Sequence, residues 1–346
     1  MALPVRPPIE PMLAKLTAEI PSGDGWLYEP KWDGLRAIVF FDGKEAYIQS
    51  RDLKPLNRYF PELKAGFEES LASPMVLDGE VIIVRDGALD FDALQMRIHP
   101  AESRVRMLAE QTPSAFVAFD MLADGDDSLM QKPFGARRER LISRIDGVRE
   151  PAYVTPATFD RAEAQRWFET FEGAGLDGVI AKRLDQPYVP GARAMLKIKH
   201  LREADCVVGG FRWYKGSEGK AIGSLLLGLY DDQGVLHHVG HTSSFKADEK
   251  RALVDTLSPY ISGEDVGFGA GRTPGEPSRW TGKKDLSWIR LRPELVCEVS
   301  FDHLQGDRFR HAATFRRWRT DKPPRACTFD QLEATPAYEF LRIFES

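Results

Sequence analysis

Apolar and polar positions along this chain follow two different rhythms, and the change from one to the other divides it. Near the start, "GWLYE" runs into the polar bend Lys31-Trp32-Asp33-Gly34, and "LRAIVFF" runs out of it. Both flanks carry the β-branched and aromatic residues that favour strands. Asp42-Gly43 then predicts a two-residue hairpin turn into "EAYIQS". Lys31 therefore sits between strands, where rigid elements hold it without burying its charge. Further strands are predicted for "MVLDGEVIIV" (75–84), "AFVAFDML" (115–122) and "DGVIAKR" (177–183). Helical spacing marks "FGARRERLISRI" (134–145) and "RAEAQRWFETFEGAG" (161–175), the latter with Asp160 as N-cap and glycines at its end.

From about Ala204 the pattern becomes short strands separated by Gly/Asp turns: "DCVVGGFRWY", "GSLLLGLYD", "LHHVGHT" and, after a helical "KADEKRALVDTL" (246–257), "LVCEVSFDHL". About five short strands interrupted by one helix predict a small barrel such as an OB-fold. The expected class is α+β, with a domain of antiparallel sheets and helices over 1–202 and an OB-fold β-barrel over 203–346.

Composition adds exclusions. A chain of 346 residues, 42% hydrophobic and 29% charged, can fill two cores. It has no apolar run of the roughly eighteen residues a membrane span needs, and the proline-broken "MALPVRPPIEPMLAKL" does not read as a signal peptide. Cys206, Cys297 and Cys327 lie far apart, which points to a reducing cytoplasm and away from disulfides or a zinc framework. Net charge is −5, yet 193–220 and 301–325 each hold seven Lys/Arg against three acidic residues, whereas 61–90 holds two basic and seven acidic. Local basic patches on an acidic chain suit a polyanion held at a defined place, although solvated surface charge would explain either patch alone.

The chemistry is concentrated in ordered short blocks. Lys31-Trp32-Asp33-Gly34-Leu35-Arg36 has the form KxDGxR, and "SRD" (50–52), "VLDGEVII" (76–83), "FVAFDML" (116–122), "LDGVIAKR" (176–183), "MLKIKH" (195–200) and "RWRTDKPP" (317–324) follow it. Six residues with four fixed positions match by chance often; seven blocks in order do not. The set resembles the covalent nucleotidyltransferases, and among them the ATP-dependent DNA ligases of the minimal bacterial two-domain type and the ligase module of bacterial end-joining proteins.

That resemblance implies a nucleotidyltransferase (adenylation) domain followed by the OB domain, with Lys31 as the nucleophile that takes AMP from ATP. An attacking amine must be unprotonated, and lysine is the cation whose pKa shifts most readily among neighbouring charges. Lys182 and Lys197 would supply a cationic neighbourhood and hold phosphates, and Lys199 adds a point charge. Glu80 and Asp177 offer oxygen ligands for Mg²⁺ or Mn²⁺. Phe119 gives a purine a flat face, Arg36 and Arg51 donate to ribose or phosphate oxygens, and Glu29 accepts from an adenine amino group. Asp33, Gly34 and Asp78 complete the early blocks. Arg319, Asp321 and Lys322 are assigned to ATP although they lie in the OB domain. One departure stands out: the family's fourth block usually reads Glu-Gly, and here it is Asp177-Gly178, a carboxylate shorter by one methylene. Glu172-Gly173 is a decoy at a helix end.

Blander readings compete. A turn lysine is usually plain surface, Phe119 could be core, and Arg36 and Arg51 could be solvated. His237, His238 and His241 alternate along a strand and read as structural. "GFGAGRTPGEP" (267–277) reads as a loop, and 93–106 as a basic surface loop or mere connection. The partner expected is nicked or broken double-stranded DNA, with end-joining or repair proteins and no membrane, for a monomer associated with the nucleoid. With thirty residues before Lys31, the helical DNA-binding domain of larger relatives is not expected. A GTP-dependent capping enzyme, an RNA ligase, or a non-catalytic OB module binding through Arg212, Trp213, Tyr214, Arg317 and Trp318 are the rivals.

Overall fold

Two strands flank the Lys31–Gly34 bend and join different sheets. Trp26–Pro30 is an edge of a four-stranded sheet ordered Leu13–Leu16, Arg193–Ile198, Val179–Arg183, Trp26–Pro30. Leu35–Phe41 lies within a larger sheet ordered Ala46–Ser50, Leu35–Phe41, Met75–Arg85, Ser114–Asp124, Asp127–Ser128, with Ala152–Val154 parallel to Ser114–Asp124. The computed structural model describes residues 3–145, 151–263, 267–269, 274, 287–302, 304–332 and 343–344. It divides into two units, Met1–Lys199 with Thr335–Ser346, and His200–Ala334.

In the first unit the near-continuous apolar run "LRAIVFF" has a physical cause: both faces of that strand are covered. Ala37, Val39 and Phe41 pack with Leu63, Phe67 and Phe116 on one side. Ile38 and Phe40 pack with Met12, Tyr188 and Met195 on the other, which brings the two sheets together. The hairpin tip falls one residue later than predicted. Asp42 N donates to Glu45 O (3.2 Å), so Gly43-Lys44 form the tip, with Gly43 at φ +97°. The Asp42 carboxylate draws the turn in by accepting from both Lys44 N and Glu45 N.

The reading of 93–106 as a loop is overturned. Phe91–Arg97 and Glu102–Gln111 are helices, burying Leu94, Val105, Leu108 and Ala109. Arg97 is fully buried, donating to Glu62 (2.7 Å) and to the Tyr59 carbonyl (2.9 Å). Arginines had disguised an apolar face. Helix Phe134–Ile145 does the same: its buried stripe includes Arg137, which holds Asp120 through two bonds of 2.7 and 2.8 Å. The stretch 161–175 is an α-helix over Arg161–Thr170, capped by Asp160 on Ala162 N, then a tighter turn Phe171–Ala174 ended by Gly175 at φ +86°.

The second unit is a closed barrel. Its sheet runs Leu236–Thr242, Ile222–Tyr230, Arg202–Trp213, Val296–Phe301, Thr314–Trp318. Its outer strands meet where Ala313 N donates to His241 O (2.9 Å) and Phe315 N to Thr242 Oγ1 (3.1 Å). Helix Ala247–Leu257 lies between the third and fourth barrel strands in sequence, as in an OB-fold. The three cysteines are free and buried. Of the glycine-rich stretch 267–277, most lies outside the described residues.

Candidate active site

Lys31 is held by its backbone before its side chain does anything. Its N–H donates to Gly178 O (2.9 Å), and its carbonyl accepts from Asp177 N (3.0 Å). That reciprocal pair ties the bend to the start of strand Val179–Arg183. Both glycines are needed for the approach. Gly178 sits at φ +112°, where a Cβ would run into Ile198 O, and a Cβ on Gly34 would strike Val81 O and the Glu80 side chain.

Above this scaffold the Lys31 ammonium meets the Asp177 carboxylate at 2.5 Å, and Lys199 Nζ meets the same oxygen at 2.5 Å. Lys197 lies close enough to feel Lys199 and Lys31. Partial burial, and then those two charges, lower its pKa. On the facing sheet Arg36 makes a two-pronged bond to Asp78 (2.6 Å each), and Tyr188 OH donates to the same carboxylate (2.7 Å). Burial works against charge on Arg36, but Asp78 outweighs it and raises its pKa, so the guanidinium is charged at any ordinary pH. Glu80 faces Arg36, Lys31, Asp33 and Asp78. Burial pushes its carboxyl up to about 7, against the pull of Arg36 and Lys31.

A second group adjoins the first. Phe119 carries Arg36 at 4.3 Å and Lys182 at 4.7 Å from its ring centre. Glu29 is buried and accepts from Lys182 (2.7 Å) and Arg138 (3.0 Å). Lys182 also donates to Phe119 O (3.0 Å), and burial lowers its pKa. Arg51 stands on the exposed turn after Ala46–Ser50, its backbone N–H on Arg36 O (3.2 Å). In the second unit Arg319 binds Asp205 (2.9 and 3.0 Å) and forks onto Asp321 (2.9 Å twice), and Lys322 reaches Asp205 at 3.0 Å. The Arg319 hydrogen bond holds the Asp321 carboxyl at about 2.

Three participants escaped the sequence reading: Tyr188, Arg138 and Asp205. Tyr188 and Arg138 sit in stretches without a block signature, and no local pattern announces partners 109 and 110 residues away. Asp205 stood in plain view beside the domain boundary, counted only as a negative charge.

Known proteins are similar to this chain along its whole length. A family model described as ATP dependent DNA ligase domain matches 11–199, and one described as ATP dependent DNA ligase C terminal region matches 218–322. DNA ligase C1 of Mycolicibacterium smegmatis is 50% identical over 355 residues, covering 100% of this chain and 99% of the relative. This chain belongs to the ATP-dependent DNA ligases. DNA ligase C of Mycobacterium tuberculosis agrees with this ligase at 53% identity, covering 96% of each. A solved structure from a study of Lig E DNA ligases shares the fold of the ligase at TM-score 0.58 and 20% identity, over 90% of this chain and 99% of that one. Of the rivals, the capping enzyme, the RNA ligase and the non-catalytic module give way to a DNA ligase. No helix among the described residues is long and apolar enough to cross a membrane.

Proposed function

We propose that Lys31 is the amine through which this ligase works, and that it seals 5′-phosphate/3′-hydroxyl breaks in double-stranded DNA during repair. The observation that carries this is the placement of Lys31 on Asp177, beside Lys199, in the bend where the two sheets meet. In the first step the Nζ lone pair forms a bond to the α-phosphorus of ATP. The α–β bridging P–O bond breaks, and pyrophosphate leaves with the electron pair. The proton on Nζ has Asp177 Oδ2, at 2.5 Å, as its acceptor. A 5′-phosphate oxygen next attacks the AMP phosphorus and releases the lysine. The 3′-hydroxyl oxygen then attacks the 5′-phosphorus and gives its proton to water, the P–O bond to AMP breaks, and AMP departs with the electron pair. Each step is phosphoryl transfer, so positioning and electrostatics carry most of the catalysis.

Around that amine, Lys197 and Lys199 supply positive charge toward the phosphates, and Phe119 a face for adenine. Glu29, held by Lys182 and Arg138, is oriented to accept from the purine amino group. Arg36 and Arg51 are assigned to ribose and phosphate, and Arg319 and Lys322, with Asp321, to the departing pyrophosphate. Among the described residues no three His, Cys, Asp or Glu side chains cluster as a ready-made metal cage. Mg²⁺ needs none: it commonly takes one or two carboxylates and completes its shell with substrate phosphates and water. Glu80 and Asp177 fit that donor set. When bound, Mg²⁺ or Mn²⁺ would neutralise charge on the transferred phosphoryl. We place the ligase, as a monomer, in the bacterial cytoplasm with the nucleoid and with end-joining or repair proteins.

The deciding experiment incubates the protein with α-labelled ATP or GTP, followed by denaturing electrophoresis. Acid-labile label held from ATP supports the reading. Label from GTP alone, or none, overturns it.

A further inference from the structure

The Lys31–Gly34 bend belongs to neither sheet, so its shape depends on what grips it. Backbone bonds to Gly178 and Asp177 grip one end, and the close approach of Gly34 to Val81 grips the other. Between them stands Trp32, with its indole N–H donating to Thr155 Oγ1 at 2.8 Å. Thr155 in turn accepts at its carbonyl from Arg138 (2.9 Å), the residue that also holds Glu29.

The far face of this tryptophan is covered from a distant part of the chain. Phe344 stacks on Trp32 with ring centres 5.6 Å apart and planes 23° apart, and it leans on Tyr153 at 5.5 Å. Ile343 beside it is fully buried, in one apolar cluster with Trp32, Phe119 and Phe171. Two residues that follow the entire barrel in sequence thus pack under the residue next to Lys31 and beside the residue offered to adenine. Offset stacking of this kind fixes a ring's plane as well as its position.

We propose that Phe344, with Ile343, is a positioning element for lysine adenylylation: it locks the Trp32 ring and, through the adjoining peptide, the backbone of Lys31. The inference rests on reading Lys31 as the nucleophile. Because Nζ must stand in line with the departing pyrophosphate, a displacement on the order of 1 Å can cost about a hundredfold in rate. The stacking of Phe344 is on Trp32 and Tyr153, neither of which is assigned to ATP, so its loss should act on the rate more than on nucleotide affinity.

The test is single-turnover self-adenylylation with α-labelled ATP over a series of ATP concentrations, for wild type, Phe344→Ala, Phe344→Tyr and Lys31→Ala. Melting temperature and sealing of a pre-adenylylated nick are measured alongside. Phe344→Ala should lower the maximal rate by roughly 10- to 100-fold with the apparent KM for ATP within about twofold. Phe344→Tyr, which keeps the ring, should restore most of that loss. Sealing of the pre-adenylylated nick, which does not use the Lys31 amine, should fall far less. A wild-type rate for Phe344→Ala, or an equal fall in rate, affinity and sealing, overturns the proposal. Should Phe344→Ala fail to fold, Phe344→Leu is judged by the same criteria. If Lys31→Ala itself takes label, the reading of the site fails; if it takes none while Phe344→Ala labels normally, only the proposal about Phe344 fails.

Discussion

Lys31 and Asp177, 146 positions apart in sequence, are joined twice, by a backbone hydrogen bond of 3.0 Å and by a 2.5 Å contact between side chains, and the Lys31 N–H donates to the next residue, Gly178, at 2.9 Å. The backbone pair sets where the amine stands and the carboxylate sets where it points. Removing the side-chain half should therefore leave the fold alone. Lys31→Ala is expected to abolish labelling from ATP with the melting temperature nearly unchanged, because the Lys31 side chain is partly exposed and contributes little packing. A melting transition that collapses with the activity would mark Lys31 as structural.

The backbone half can be broken separately. Gly178→Ala places a Cβ against Ile198 O at a φ of +112°, a conformation that costs a side-chain-bearing residue about 1–3 kcal/mol. Expected are a lower unfolding midpoint and a severe loss of self-adenylylation, since Asp177 and the Lys31 backbone must shift together. Wild-type kinetics in Gly178→Ala would show that this backbone pair does not set the geometry of the amine.

Arg319 and Lys322 are assigned to ATP, and in the second unit they are paired with Asp205 and Asp321. Arg319→Ala and Lys322→Ala should block self-adenylation yet close a nick whose 5′ end already carries AMP, because that final step has no pyrophosphate to orient. Gels comparing ordinary with pre-adenylated nicks decide it. Equal failure on both would assign the two residues to DNA binding or to folding.

Grip on DNA should be strongly salt-dependent, since 193–220 and 301–325 offer lysine and arginine for phosphates. Each phosphate neutralised lowers log K by about 0.9 per log unit of salt. Nick affinity measured by fluorescence anisotropy from low to physiological salt should fall with a slope steeper than about −3; a flat line would remove phosphate contacts from the account.

His238 supplies a pH dependence. Its two ring nitrogens are buried. Burial, then Arg308 and Arg212, lower its pKa to about 3. The unfolded chain takes up a proton near the ordinary 6.5 and the folded barrel does not. Stability from this group is thus full above 6.5 and is lost as pH falls from 6.5 toward 3. Denaturant unfolding at pH 7.5, 6 and 5 should show wild type losing stability faster than His238→Leu; parallel losses would mean that His238 is protonated in the fold.

What the sequence determined by itself was local. Strand runs such as "LHHVGHT" and the capped helix after Asp160 formed nearly where their patterns stand, because each pattern acts within a few residues. The barrel was legible for the same reason, as a succession of short strands around one helix. The ordered blocks named the chemistry, since a family's motif is written in residue types at fixed spacing. Tertiary structure decided everything that depends on partners far along the chain. Arg97, within a stretch that reads as a surface loop, and Arg137 are fully buried, because Glu62 and Asp120 stand opposite them on other elements and satisfy their charge. The resemblance assigns Glu29 to the adenine amino group, but only the fold brings Lys182 and Arg138 onto it, from a strand and a helix more than a hundred residues away. Phe344 carried no signal at all: a lone aromatic beyond the last block acquires meaning only when the fold lays it on Trp32. Pattern reports which face of an element is apolar; which face it meets is set by packing, and packing is a property of the whole chain.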